Sequence, residues 1–230
     1  MVASRRYTAA IASVIAAALG LAACSAAAPP QTPSPAVTAL PTPSASTTAP
    51  ADSEITVTWL AVAGAKGATG TTVISRRQPG SPGDFRVEFS ENEVGGIGSQ
   101  SQAGAWNAAI ISTLLLGLPL EGEFRFATDG RIDGPSAGAL TTAGLIALAR
   151  GDAFAEHVTM TGTINATGTI GPVGGIPEKI AAAAEEGFTK VLIPLGQRMT
   201  PNHEGELVDV IRAGDRDGVE VIEVGDIYEA

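Results

Sequence analysis

The chain has 230 residues, of which 14 are Lys or Arg and 24 are Asp or Glu, for a formal charge of −10. Beyond Arg5-Arg6 its basic residues are scattered singly, apart from Arg76-Arg77, which argues against nucleic acid or anionic lipid headgroups as partners. One cysteine and two histidines exclude a disulfide framework and leave a metal-ligand cluster unsupported.

Met1 to Arg6 carries two arginines, and Tyr7 to Ala23 is uncharged and almost wholly apolar. A basic n-region followed by an apolar h-region is the plan of a secretory signal peptide, here residues 1–23. The segment ends Leu21-Ala22-Ala23-Cys24, which resembles the lipobox of bacterial lipoproteins. That resemblance implies lipidation of Cys24 and an extracytoplasmic protein anchored to the cell membrane through its lipid alone. The other reading is a conventional signal peptide followed by a buried or free thiol. An unpaired thiol is unusual in an exported chain, which favours the lipoprotein. Ser4-Arg5-Arg6 is a partial twin-arginine signal, but no strongly apolar pair follows it, so the general secretory route is preferred.

From Ser25 to Ala51 the chain is uncharged and dominated by Ala, Pro, Ser and Thr, with prolines at 29, 30, 33, 35, 41, 43 and 50. Such a segment cannot bury enough apolar surface to offset its ordering entropy, so residues 24–53 are expected to form a disordered tether. Residues 54–230 are long enough for one domain with a real core.

Within that domain, Ile55–Ala63, Thr71–Arg76 and Phe85–Phe89 read as strands of a mixed or antiparallel meander. Gln102–Leu116 has the length and apolar density of a buried helix, ended near Gly117 and Pro119. Glu123–Ala127 alternates as a strand, and Ser136–Ala149 places small apolar residues at helical spacing. His157–Met160 and Thr167–Ile170 read as short strands around a Gly-rich hairpin. Ile176–Glu186 reads as a helix, with Pro177 suited to its first position and Gly187 to its C-terminal cap. Val191–Pro194 and Val219–Val224 read as buried strands, with a polar helix near Glu206–Ala213 between them.

Two residues at helix starts carry the chemistry. Ser136 lies in Asp133-Gly134-Pro135-Ser136-Ala137-Gly138, where glycines allow close approach of backbone and substrate and Pro135 stiffens the turn. The first amides of a helix lack intrahelical partners, so an oxyanion formed near Ser136 would find donors among them. Lys179 lies in the first turn of its own helix, beside Ile176, Ile180 and an alanine run. Partial positive charge at a helix start and an apolar setting both lower a lysine pKa, as a general base requires. Taken singly, the serine is most often a cap and the lysine a solvated side chain.

Together with their context, these motifs resemble the proteolytic domain of the Lon protease family. Asp133 to Gly138 matches the family's nucleophile motif and Gly171-Pro172-Val173-Gly174-Gly175-Ile176-Pro177-Glu178-Lys179 its lysine motif, with Met160-Thr161-Gly162 between them. The likeness is strong from about Gly122 to Pro194 and weak over Glu54 to Leu120. It implies an α/β fold (α+β in some schemes), a single Lon-type proteolytic domain with mixed sheets packed against helices. It also implies Ser136 as nucleophile, Lys179 as general base, Thr161 as its orienting partner, and Asp133 either paired with Lys179 at rest or shaping the turn. Gly134, Pro135, Ala137 and Gly138 would then form the oxyanion and turn segment.

The expected function is that of an ATP-independent serine endopeptidase acting on peptides or unfolded protein, without cofactor or metal. Gly67-Ala68-Thr69-Gly70-Thr71-Thr72 lacks the Lys-Ser/Thr of a phosphate-binding loop, so ATP-driven unfolding does not transfer from the family. Where the family has Leu-Lys this chain has Ile176-Pro177, which alters the helix start but keeps Lys179. Lon domains assemble into rings, so a homo-oligomer is compatible with the resemblance. The rival readings are a non-catalytic Lon-like binding module at the cell envelope, and an amidase or esterase using the same dyad.

Overall fold

The computed structural model describes residues 52–92 and 96–230. The expected signal peptide, Cys24 and nearly all of the expected tether lie outside the described residues. Among the described residues, no helix is long and apolar enough to cross a membrane.

Strands β1 (Asp52–Ala63) and β2 (Lys66–Arg77) form a long antiparallel hairpin in register from Asp52↔Arg77 to Ala63↔Lys66. The next strand, β3 (Phe85–Glu91), does not continue the meander. Helix α1 (Ser99–Leu115) carries the chain across, and β4 (Gly122–Thr128) inserts between β2 and β3 to give the order β1-β2-β4-β3. β4 is antiparallel to β2 and parallel to β3, because a helical crossover returns the chain in the direction in which it left. Of the two arrangements open to the sequence, the sheet is therefore the mixed one.

A single 3-10 turn, Pro135–Ala137, leads into α2 (Gly138–Arg150), which is buried over most of its length. The second sheet is wholly parallel, in the order β11-β8-β5, formed by β5 (Val158–Met160), β8 (Lys190–Pro194) and β11 (Glu220–Val224). Its crossovers are α3 (Ile176–Glu185) and α4 (Val210–Asp217). Two small hairpins complete the domain, β6 (Thr163–Ile164) with β7 (Ile170–Gly171) and β9 (Met199–Pro201) with β10 (Leu207–Asp209).

Strand alternation divides the interior into two cores. In β8, Leu192 faces a core that contains Val57, Trp59, Ile74, Phe124, Leu140, Leu145 and Met160. Its neighbours Val191 and Ile193 face the other, with Leu60, Ile176, Ile180, Ala183 and Val221. A central parallel strand covered on both faces reads as the continuous apolar run seen at Val191–Pro194. On α3, Ile176, Ile180 and Ala183 recur at helical spacing and fix which side of that helix turns inward. Each fully buried aliphatic side chain of this kind contributes roughly 1.5–3 kcal/mol.

Two expected elements are corrected. Asn165, not a strand, organises residues 165–169: its Oδ1 accepts hydrogen bonds from Thr167 N at 3.0 Å and Thr169 N at 3.1 Å, so the second strand of that hairpin starts only at Ile170. The helix expected over Glu206–Ala213 begins at Val210, after β10. Asp209 caps it by accepting from Arg212 N at 3.3 Å, and α4 runs on to Asp217.

Candidate active site

Ser136 occupies the middle of the 3-10 turn ahead of α2 and is half-buried. Gly134 makes this turn possible, since its φ of 138° and ψ of 151° lie in a region that a side chain essentially forbids. The turn is tied down through its backbone. The Ser136 carbonyl accepts from Gly162 N at 2.7 Å and from Thr161 Oγ1 at 3.3 Å. Behind it, Gly138 N donates to the Pro135 carbonyl and Ala139 N to the Gly162 carbonyl. These two amides are thus committed within the protein, and α2 offers an oxyanion fewer donors than a bare helix terminus would.

Lys179 is the fourth residue of α3, and its amide closes the first turn on the Gly175 carbonyl at 3.0 Å. Only 3% of its surface is exposed. Its Nζ donates to Thr161 Oγ1 at 3.0 Å. Burial pushes the ammonium down to about 8 from the ordinary lysine value of 10.5. The cause is loss of water around the charge, which favours the neutral amine.

Thr161 joins the two motifs. It follows β5 directly, is 1% exposed, and its amide donates to the Leu192 carbonyl of β8 at 3.0 Å. Its hydroxyl accepts from Lys179 and donates to the Ser136 carbonyl, so one side chain spans from the amine to the serine's own peptide unit. The parallel sheet supplies the rigid base for this link.

Asp133 is exposed, and its Oδ1 accepts from Gln100 N at 3.1 Å, in the first turn of α1. The residue at that helix's N-cap is Gly98, which has no side chain to satisfy the first amides. Asp133 supplies the missing acceptor from another part of the chain, and Ser101 Oγ adds a bond to the Gly134 carbonyl at 3.0 Å. The segment carrying Ser136 is thereby docked on the start of α1.

Beside the serine turn lies an apolar cleft that the sequence did not disclose. Trp59, Phe89, Ile97, Phe126 and Ile132 form its walls, and Gly134, Pro135, Ala137 and Gly138 its rim. Trp59 Nε1 donates to Thr72 Oγ1 at 3.2 Å, and Thr72 shares a 2.9 Å bond with Thr128, which orients the indole. These residues come from four strands and two loops. In the sequence they carry the alternation of ordinary core strands, and no local spacing marks them.

The glycine-rich stretch weighed as a phosphate loop lies inside β2 and serves packing. A side chain at Gly70 would strike the Trp59 ring, and one at Gly67 would strike the Glu178 carbonyl at the start of α3. Among the described residues, no group of three or more His, Cys, Asp or Glu side chains is gathered as metal ligands would be.

Residues 128–227 match the Lon protease (S16) C-terminal proteolytic domain. Lon protease of Frankia alni is 39% identical over 97 residues, which are 42% of this chain and 10% of that protein. The mitochondrial Lon protease homolog of Homo sapiens is 45% identical over 62 residues, 27% of this chain and 6% of that protein. Lon protease of Methylocella silvestris is 44% identical over 66 residues, 29% and 8% of the respective chains. This chain spans about a tenth or less of the length of these curated relatives. Ser136, Thr161 and Lys179 all fall inside the matched stretch, on the turn, strand end and helix start described above, so the part of the chain that is similar to Lon proteolytic domains is the part that carries the candidate site.

Proposed function

We propose that this domain is a serine peptidase in which Ser136 attacks the carbonyl of a peptide bond and Lys179 serves as general base. The neutral Lys179 amine takes the Ser136 hydroxyl proton as the Oγ–C bond forms. The resulting ammonium returns a proton to the leaving amine as the C–N bond breaks, leaving an acyl-enzyme. Water then attacks the ester carbonyl, losing its proton to Lys179, and Ser136 leaves with that proton restored. Thr161 holds the amine in place throughout. The observation that carries this reading is the almost fully buried Lys179 amine, lowered to about 8 and bonded to a threonine that also holds the serine turn.

The apolar cleft at the rim of the turn suits an apolar side chain next to the scissile bond, with the Trp59 indole as its wall. Residues 1–23 and Cys24 support export and lipid anchoring, and residues 24–53 a tether that holds the domain away from the membrane. The sequence has no match to a phosphate-binding loop, so the substrates proposed are flexible peptides, unfolded segments or exposed loops, cleaved without ATP.

The test is cleavage of an unfolded protein and of a peptide library by the full chain, beside Ser136→Ala and Lys179→Ala. Each substitution is expected to reduce kcat by about 10³-fold or more. Full activity in either variant contradicts the dyad. Inactivity of the folded wild type on every peptide and unfolded substrate supports a binding module instead.

A further inference from the structure

The residue just before Lys179 is buried and charged, and the proposed chemistry gives it no part. Glu178 has a side chain only 7% exposed, in the first turn of α3. Its Oε1 accepts from the main-chain N–H of His203 at 2.7 Å and lies 3.2 Å from His203 Nδ1. Its Oε2 is buried and has no hydrogen-bond partner among the described residues. Burial alone would raise this carboxyl. Bonds from its own backbone and from both groups of His203 outweigh that effect and hold it below the usual carboxylate range.

His203 lies in the loop of the β9–β10 hairpin, which reaches across to α3. The loop is preorganised: Asn202 Oδ1 accepts from Glu204 N at 3.0 Å and from Glu206 N at 2.9 Å. The titratable side chains around the clasp are His203 and Glu204, whose Oε1 lies 3.7 Å from His203 Nε2. On another side of the same turn, the β1–β2 hairpin packs without a gap. A side chain at Gly67 would strike the Glu178 carbonyl, and one at Gly175 would strike Val62.

We propose that Glu178 is a positioning residue for Lys179: its carboxylate clasps the β9–β10 hairpin and so fixes the first turn of α3 at the rotation that buries the amine against Thr161. Adjacent residues on a helix diverge by about 100°, so the two side chains grip different partners while sharing one backbone turn. Releasing Glu178 frees that turn to rotate or fray, which admits water to Lys179. The influence is mechanical, through the backbone. The catalytic role of the amine is the reading given above, and the clasp rests on it only for its effect on rate.

Lys66, Lys179 and Lys190 are the lysines of the chain, so the ε-carbons of 13C-labelled lysine can be assigned and titrated by NMR in the full-length protein. This readout does not need a peptidase substrate. In the wild type, Lys179 is expected to titrate at about 8. In Glu178→Ala its midpoint should move toward the ordinary lysine value of 10.5, with kcat lowered about 10- to 100-fold and KM little changed. Glu178→Gln keeps the acceptor and should restore most of the titration shift and of kcat. His203→Ala keeps the main-chain donor and should fall between them. Circular dichroism and cooperative denaturant unfolding report whether each variant remains folded. If Glu178→Ala does not fold, Glu178→Asp shortens the reach and should give a partial upward shift.

A Lys179 midpoint unmoved in the folded Ala or Asp variant overturns the proposal. So does a Gln variant that behaves like Ala, because the charge rather than the hydrogen-bonded clasp would then be what matters. If the titrations follow the prediction while Lys179→Ala remains active, the clasp stands and the base assignment fails.

Discussion

The serine turn and the lysine turn open helices of the same domain, yet they are built in opposite ways. Ser136 is half-buried, its turn is fixed by backbone bonds to Gly162 and Thr161, and it lies beside an apolar cleft. Lys179 is almost fully buried, held by one side-chain bond, and has lost its water. In the proposed mechanism the nucleophile is left where a substrate can reach it, and the base is activated by taking water away. No charged neighbour is needed to lower its pKa, because desolvation is the cause. Thr161 lets two such different environments meet.

The comparison breaks most visibly if the lysine charge is removed. Depression of Lys179 from 10.5 to about 8 means that the unfolded chain binds more protons between those values than the folded one. The cost to stability is therefore fully present below about pH 8 and disappears as pH rises toward the unfolded value. Lys179→Met should abolish activity and yet stabilise the fold by about 2 kcal/mol at pH 7, somewhat less than the full shift because Thr161 loses a partner. That gain should shrink between pH 8 and pH 10 when unfolding is followed by denaturant titration. A loss of stability at neutral pH would show that the amine is well solvated.

On the serine side the corresponding change is smaller. Asp133→Ala removes the acceptor for Gln100 N and should lower stability by about 1 kcal/mol, as loss of a helix cap does. Its effect on kcat should stay below about tenfold, since the turn keeps its bonds to Gly162 and Thr161. A kcat loss of several hundredfold with unchanged stability would give Asp133 a direct part in the chemistry.

The residues that sequence could disclose are those whose job is local. Gly134, Pro135 and Ser136 form one turn, and Ile176, Ile180 and Ala183 one helical face, so their spacing showed what they build. The parallel strand β8 was equally legible because burial on both faces leaves a continuous apolar run. What was not legible depends on distant chain segments. The cleft draws on β1, β2, β3 and β4, the insertion of β4 between β2 and β3 follows from the α1 crossover, and the Glu178 clasp needs a hairpin whose second strand read as part of a polar helix. Asp133 is intermediate: its place in the motif was clear, but its acceptor role at α1 depended on Gly98 having no side chain.

The most direct test of a base activated by burial is the pH dependence of kcat/KM for the full chain, measured with a peptide that does not itself titrate, beside the Lys179 titration by NMR. Activity should rise with pH as Lys179 loses its proton, with both midpoints at about 8 and a plateau above. A rate that rises near pH 6 to 7, or that climbs while Lys179 remains protonated, would contradict lysine as the base.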